Sequence, residues 1–137
     1  MESIADTLVK KVNEQVENLN ISPPEDDCDI TLVVTESSAN FIEGLVMDAK
    51  KKGATLCQDY CRKGSLIWLL LLDNVQPYMR IAWKEPFGPV LPVIRITSVE
   101  EGIHHCNASN FGLQVLFKNM PANFWHSRFP FPFVFIS

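Results

Sequence analysis

The sequence predicts an α/β fold in which helices cover a parallel sheet. The first observation is an apolar run without alternation, Leu66 to Leu72, which is typical of a strand buried on both faces. The second is that amphipathic helical segments alternate with such runs along the chain. This alternation favours right-handed crossovers that place helices over parallel strands.

Composition and charge limit the class of protein. A chain of 137 residues makes one domain at most, and 47% hydrophobic with 20% charged residues argues against disorder. The net charge of −4 argues against a nucleic-acid partner and an anionic membrane surface, and no apolar run is long enough to span a bilayer. Four cysteines are too few for a disulfide scaffold, so we expect reduced thiols in a cytoplasmic protein.

The first predicted helix begins near Ser3, a candidate N-cap with Asp6 three residues later. Pro23 and Pro24 end it at the latest, since proline lacks the N–H that a helix needs. Its apolar residues recur at helical spacing and predict one buried stripe. They are Ile4, Leu8, Val12, Val16 and Leu19.

A second helix is predicted after a β-branched stretch, Ile30 to Val34. Ser38 is its candidate cap, and three lysines at 50–52 followed by Gly53 are typical of a helix C-terminus. Its predicted buried face consists of Phe41, Ile42, Leu45, Val46 and Ala49.

Strands and turns are predicted in the rest of the chain. Short strands are expected at Ala54–Cys57 and Val90–Ile96, with a turn at Lys63–Gly64 and one more possible strand at Leu113–Phe117. A third helix should start at a capping box made by Ser98 and Glu101 and end near Gly112.

The composition changes abruptly after Gly112. Six of the nine phenylalanines lie between Phe117 and Phe135, and the only charged residues beyond Gly112 are Lys118 and Arg128. A mixed globular sequence therefore gives way to an apolar, proline-broken tail, and we place the first boundary there.

The segment Lys84-Glu85-Pro86-Phe87-Gly88-Pro89-Val90 leads into a predicted buried strand. Its two prolines restrict the backbone on either side of Phe87, and Gly88 permits close approach of another chain or a ligand. A ring and a carboxylate held in this way could stack on a flat ligand and bind its hydroxyl groups. The residues alone favour the other interpretation, a rigid connecting loop in which Phe87 only packs.

This segment resembles the Glu-x-Phe-Gly-Pro motif of the aldehyde dehydrogenase superfamily. A longer likeness to plant NADP-dependent members runs from Met1 to about Gln114, and it is densest in four stretches of the sequence. These are residues 23–31, 36–45, 79–92 and 98–107. We therefore divide the chain into a partial catalytic domain, residues 1–114, and a divergent Phe/Pro-rich tail, residues 115–137.

The resemblance implies part of a three-layer αβα catalytic domain with a parallel sheet, in an enzyme that oxidises an aldehyde, glyceraldehyde 3-phosphate, to its acid with NADP. It implies that Glu85 binds the nicotinamide ribose hydroxyls and that Phe87 lies against the nicotinamide. Both roles orient the cofactor. Where the family usually has a second glutamate, this sequence has Lys84, which puts a cation beside Glu85.

The resemblance assigns no catalytic residue to this sequence. The family's nucleophilic cysteine lies in a Gly-Gln-x-Cys context, and none of the four cysteines does. We therefore expect these 137 residues alone to be inactive. Two alternatives remain: a non-catalytic fragment that contacts full-length subunits as in a homo-oligomer, and a pseudogene product. No metal site is predicted, because the adjacent His104 and His105 point about 100° apart on a helix.

Overall fold

The computed structural model of the chain describes residues 2–111, with side chains from residue 4 onward. They form two compact units, Met1–Arg95 and a second unit that begins at Ile96. The elements in chain order are α1 Glu2–Val16, α2 Glu36–Lys51, β1 Thr55–Leu56, β2 Arg62–Lys63, β3 Leu66–Ile67, β4 Leu70–Asp73, a 3₁₀ helix Arg80–Ala82, β5 Val90–Pro92 and α3 Val99–Ala108. None of the helices in this described part is both long and apolar enough to cross a membrane.

The main sheet of the first unit has the strand order β1-β4-β5. Strands β4 and β5 are parallel, with Leu70 opposite Val90, which confirms the predicted parallel pairing. Strand β1 is antiparallel to β4, with Thr55 opposite Asp73. The reason is that residues 57–69, which connect β1 to β4, form a hairpin instead of the crossover helix that a parallel connection needs.

The predicted strand Leu66–Leu72 is divided between two sheets. Its first residues form β3, which pairs with β2 across a turn where Gly64 has a φ of +60°. Its last residues lie in β4, all four of whose residues are buried, as the run without alternation predicts. The predicted strand Val90–Ile96 is shorter than expected, since β5 ends at Pro92.

The core of the first unit lies between α2 and the main sheet. Leu70 and Leu72 of β4 belong to this core, and Leu71 points to the opposite face of the sheet, yet is also fully buried. Helix α1 packs against β4. Helices therefore pack against this short sheet as in a partial three-layer α/β arrangement. The α2 side chains in the core are Ala39, Ile42, Leu45, Val46 and Ala49.

Helix α2 begins one turn earlier than predicted. Its N-cap is Thr35, whose Oγ1 accepts the backbone N–H of Ser38 at 3.0 Å, so Ser38 is inside the helix and the predicted cap is wrong. Its C-terminus follows the prediction, because Gly53 has a φ of +101° and Ala54 donates its N–H to the carbonyl of Ala49. A glycine in the left-handed conformation commonly ends a helix in this way, because the N–H groups that follow can then bond the last carbonyls of the helix.

Helix α1 differs from its prediction at both ends. It begins at Glu2, so Ser3 lies inside it and is not its N-cap, and it ends at Val16 before Leu19. The predicted apolar stripe is mostly uncovered: Val16 is buried, whereas Ile4, Leu8 and Leu19 are exposed, and the buried Ala5 is not part of the stripe.

Helix α3 of the second unit starts as predicted. The Ser98 hydroxyl accepts the N–H of Glu101 at 3.1 Å, but the Glu101 carboxylate turns to the N–H and hydroxyl of Thr97. The helix ends at Ala108, before Gly112. The predicted strand Leu113–Phe117 and the tail from residue 115 lie outside the described residues.

Candidate cofactor-binding loop

The two candidate cofactor residues lie in the loop of residues 84–89, between the 3₁₀ helix and β5. Glu85 is exposed, and Phe87 has 77% of its surface exposed. Within residues 4–111, the Glu85 carboxylate has neither a hydrogen bond nor an ion pair. A carboxylate and an aromatic ring two residues apart are therefore both open to a ligand.

The backbone of Phe87 has a φ of +46°, a left-handed value that a residue with a side chain rarely adopts. Such a conformation costs roughly 1–3 kcal/mol, and it persists only where the surrounding structure enforces it. On its C-terminal side the loop is joined to the sheet, because Leu70 donates its N–H to the carbonyl of Pro89 at 2.9 Å. Strained residues of this kind are concentrated at functional sites.

Gly88 lies directly against α2. A Cβ atom added there would be 2.5 Å from Cδ1 of Ile42 and 3.2 Å from Cγ1 of Val33. Ile42 is fully buried, so its side chain has little room to move aside. The glycine of the motif is therefore needed for close packing of the loop on the helix, in addition to any contact with a ligand.

The segment before the loop is also attached to α2. The Asp48 carboxylate accepts the backbone N–H of Arg80 at 3.1 Å and pairs with Nζ of Lys52 at 2.9 Å. The hydrogen bond from Lys52, and to a smaller extent the one from the Arg80 backbone, hold the pKa of Asp48 below its ordinary value. The indole N–H of Trp83 donates to the carbonyl of Pro77, which closes the turn just before Lys84.

Two of the described thiols, Cys57 and Cys106, are poorly suited to nucleophilic chemistry. All four cysteines are free. Burial raises the pKa of Cys57, with the negative charge of Asp73 as a second cause, and burial raises the pKa of Cys106. A thiolate is the reactive species, so these two thiols are less reactive than an exposed one at neutral pH. The chemistry this site can offer is binding and orientation.

A charge network that sequence reasoning missed lies at the end of β4. Asp73 is buried, and its two carboxylate oxygens accept from Nε and Nη2 of Arg95 at 3.0 and 2.6 Å. Arg95 also pairs with Asp6 of α1 at 2.7 Å. The hydrogen bonds from Arg95 are the main reason that the pKa of Asp73 is lowered. No local sequence pattern predicts this network, because Arg95 is 22 residues from Asp73 and 89 residues from Asp6.

The sequence of this chain is similar to that of known aldehyde dehydrogenases. The sequence profile of the aldehyde dehydrogenase family matches residues 1–118. The NADP-dependent glyceraldehyde-3-phosphate dehydrogenase of Nicotiana plumbaginifolia is 79% identical over 114 residues, which cover 83% of this chain and 23% of that protein. The Arabidopsis thaliana enzyme of the same name is 74% identical over 114 residues, with the same coverage.

Solved structures agree with this likeness. The NADP-dependent glyceraldehyde-3-phosphate dehydrogenase of Bacillus halodurans C-125, complexed with NADP, superposes with a TM-score of 0.83 at 51% identity, covering 85% of this chain and 24% of that one. A salicylaldehyde dehydrogenase of Pseudomonas putida G7 gives 0.79 at 36% identity, covering 84% and 24%. The chain thus spans about a quarter of the length of these relatives. The fold, the loop and the profile together show that it belongs to the aldehyde dehydrogenase family.

Proposed function

We propose that this chain forms part of the catalytic domain of an NADP-dependent aldehyde dehydrogenase that oxidises glyceraldehyde 3-phosphate to 3-phosphoglycerate. The observation that carries the proposal is the exposed pair Glu85 and Phe87, held on a strained loop that continues into the sheet. The names of the relatives in plants and in Bacillus halodurans support the choice of cofactor and substrate.

The residues of the loop suit the nicotinamide half of NADP. Bound NADP would supply the hydride acceptor. The unpartnered Glu85 carboxylate can accept hydrogen bonds from two ribose hydroxyls, and the Phe87 ring can cover one side of a planar heterocycle. Holding the acceptor ring in one orientation lowers the barrier by removing rotational freedom before the reaction.

We propose that the 137 residues by themselves do not catalyse the oxidation. The raised pKa values of Cys57 and Cys106 support this, because neither thiol is activated.

The proposed location is the cytoplasm, where free thiols such as these stay reduced.

A chimaera tests the proposed function. Residues 1–114 replace the matching 114 residues of the Nicotiana plumbaginifolia enzyme, and NADPH formation from glyceraldehyde 3-phosphate is measured against the unchanged enzyme. We expect the chimaera to retain the activity. A soluble, folded chimaera without NADP-dependent activity would contradict the proposal.

The role of Glu85 is tested in the same chimaera. Glu85→Gln should lower kcat/KM for NADP roughly ten- to hundredfold, since hydrogen bonds to a charged group contribute about 1.5–3 kcal/mol. Glu25→Gln is the matched control, because Glu25 is an exposed carboxylate in another loop. Equal kinetics for the two variants would remove Glu85 from the cofactor site.

A second candidate function is a non-catalytic one, in which this chain contacts full-length subunits. Ile4, Leu8 and Leu91 are exposed apolar residues, and β5 pairs only with β4 among the described strands. Open strand edges and apolar surfaces favour association. Co-purification with the full-length enzyme tests this function, and a monomer that leaves that enzyme's activity unchanged would contradict it.

A further inference from the structure

Helix α2 contacts the chain on both sides of the exposed residues, once in the 3₁₀ helix before the candidate cofactor loop and once within the loop. Before them, the Asp48 carboxylate holds the backbone N–H of Arg80 at 3.1 Å. After them, Gly88 is seated on the end of the Ile42 side chain. Glu85 and Phe87 lie between these two attachments, both are exposed, and within residues 4–111 the Glu85 carboxylate has no hydrogen bond or ion pair.

The two attachments differ in chemistry. The one at Asp48 is a charge-assisted hydrogen bond to the backbone, reinforced by Lys52, whose Nζ also approaches the carbonyl of Tyr78 at 3.4 Å. The one at Ile42 is an apolar contact within the core, next to Val33. The hydrogen bond from Arg80 to Asp48 fixes the position of the backbone before the loop. The close contact of Gly88 with Ile42 fixes the distance between the loop and α2.

Helix α2 holds the two attachment points at a fixed distance from each other. Ile42 and Asp48 are six residues apart, which is about 9 Å along an α-helix axis at 1.5 Å per residue. Helix α2 is itself capped at both ends, and Ile42 and Leu45 are completely buried, although Phe41 of the predicted buried face is 41% exposed. Neither attachment point is therefore on a frayed segment. The buried Met79 and Ile81 add apolar contacts to the same core on the N-terminal side of the loop.

We propose that α2 positions the cofactor loop, with Asp48 and Ile42 as positioning residues that set the orientation of Glu85 and Phe87. The inference rests on the proposed function, since it assumes that the loop binds NADP. Neither residue touches the cofactor. Both act through the backbone at Arg80 and Gly88, including the left-handed backbone of Phe87 that lies between these anchors.

Hydrogen exchange of the full 137-residue chain tests the two attachments without reference to activity. Asp48→Ala should speed exchange roughly tenfold at the N–H groups of Arg80, Ala82 and Trp83, which are hydrogen-bonded in the unchanged chain. Tenfold is the scale of losing one charge-assisted hydrogen bond. Asp48→Asn should restore protection, because its amide oxygen still accepts the Arg80 N–H. Ile42→Val removes only the methyl group that faces Gly88, so it should speed exchange at the hydrogen-bonded N–H groups of Val90 and Leu70 while the chain stays folded.

The matched control is Glu43→Ala on the same helix. It also removes a carboxylate from an ion pair, here with Arg62, and within residues 4–111 no hydrogen bond or ion pair joins Glu43 to the loop. Faster exchange at Arg80, Ala82 and Trp83 in Asp48→Ala alone supports the proposal. Equal exchange in the two variants, or an increase spread evenly over α1 and the sheet, would overturn it.

The kinetic consequence is measured in the chimaera. Asp48→Ala should raise KM for NADP about fivefold or more with KM for the aldehyde unchanged, as expected when one hydrogen bond that orients the cofactor site is lost. A purely structural defect would lower the amount of active enzyme and leave both KM values alone, and that result would overturn the proposal. An unsubstituted chimaera without activity would instead contradict the proposed function, and the exchange experiment would still decide the role of α2.

Discussion

Helices α1 and α2 have similar apolar repeats in the sequence but very different surroundings. In α2, the large side chains Ile42 and Leu45 are completely buried in the core. In α1, Ile4 is 60% exposed and Leu8 50% exposed. An apolar stripe at helical spacing predicts a helix and a preferred face, but it does not ensure that the described chain supplies a surface to cover that face.

The way α1 is held follows from this difference. Its contacts are made by small or polar groups: Ala5 and Val16 are buried, Asp6 pairs with Arg95, and Asn13 accepts a hydrogen bond from Gln58. Gln58 in turn accepts the N–H of Leu71 at 2.9 Å. Helix α2 is therefore fixed by core packing, whereas α1 is joined to the sheet largely through polar contacts.

The largest expected effect is in the α2 core. Leu45→Ala should lower the free energy of unfolding by about 2–5 kcal/mol, because it leaves a cavity where the side chain is completely buried. Urea denaturation followed by circular dichroism measures the change. A loss below about 1 kcal/mol would show that the core can collapse around this position and would weaken the contrast between the helices.

The next effect is expected in the charge network that reaches α1. Asp73→Asn removes the buried charge that holds Arg95, and should cost about 1.5–3 kcal/mol of unfolding free energy, the range for hydrogen bonds to charged groups. Asp59→Asn, at an exposed position, is the control.

The pH dependence of that cost has a definite sign. The folded-state pKa of Asp73 is lowered by Arg95, so its contribution is complete above the ordinary value of 3.8 and is lost as the pH falls through the lower, folded-state value. The stability difference between Asp73→Asn and the unchanged chain should therefore shrink in acid. A difference that stays constant through that range would mean that the charge of Asp73 contributes nothing.

A smaller effect is expected where the cofactor loop meets α2. Gly88→Ala should cost about 1–3 kcal/mol, because the added methyl group would overlap the Ile42 side chain in a filled core. Combining it with Ile42→Val, which removes the overlapping methyl group, should recover part of the loss. Additive effects in urea denaturation would show that the two positions are not in contact.

The smallest effect is expected on the exposed side of α1. Leu8→Ala should change the free energy of unfolding by no more than about 0.5 kcal/mol, as is usual for surface positions. A loss of about 2 kcal/mol or more would show that Leu8 is covered in solution, and the contrast between the two helices would then disappear.

Local signals in the sequence were good guides to local structure. Gly53 ends α2 in a left-handed conformation, and Ser98 caps α3, because both depend on residues within one turn. The cap predicted at Ser38 is wrong, because Thr35, three residues earlier, competes for the same role and local sequence does not rank the two. The roles of Glu85 and Phe87 came from a motif and stay predictions, although the structure places both on an exposed loop.

Contacts between distant residues could not be predicted in this way. Asp48 and Arg80 are 32 residues apart, and Asp73 and Arg95 are 22 apart, so neither pair leaves a periodic trace. Both contacts form only when the chain between β4 and β5, and the segment after β5, fold back against α2 and the end of β4.

The sequence by itself determined the α/β class, three helices, a strand buried on both faces and the family, because these follow from periodicity, capping residues and a specific motif. Only the tertiary structure decided that β1 runs antiparallel to β4, that α1 leaves Ile4 and Leu8 uncovered, and that Gly88 rests on Ile42. Such features arise when segments far apart in the chain compete for the same surface, and that competition is resolved only in three dimensions.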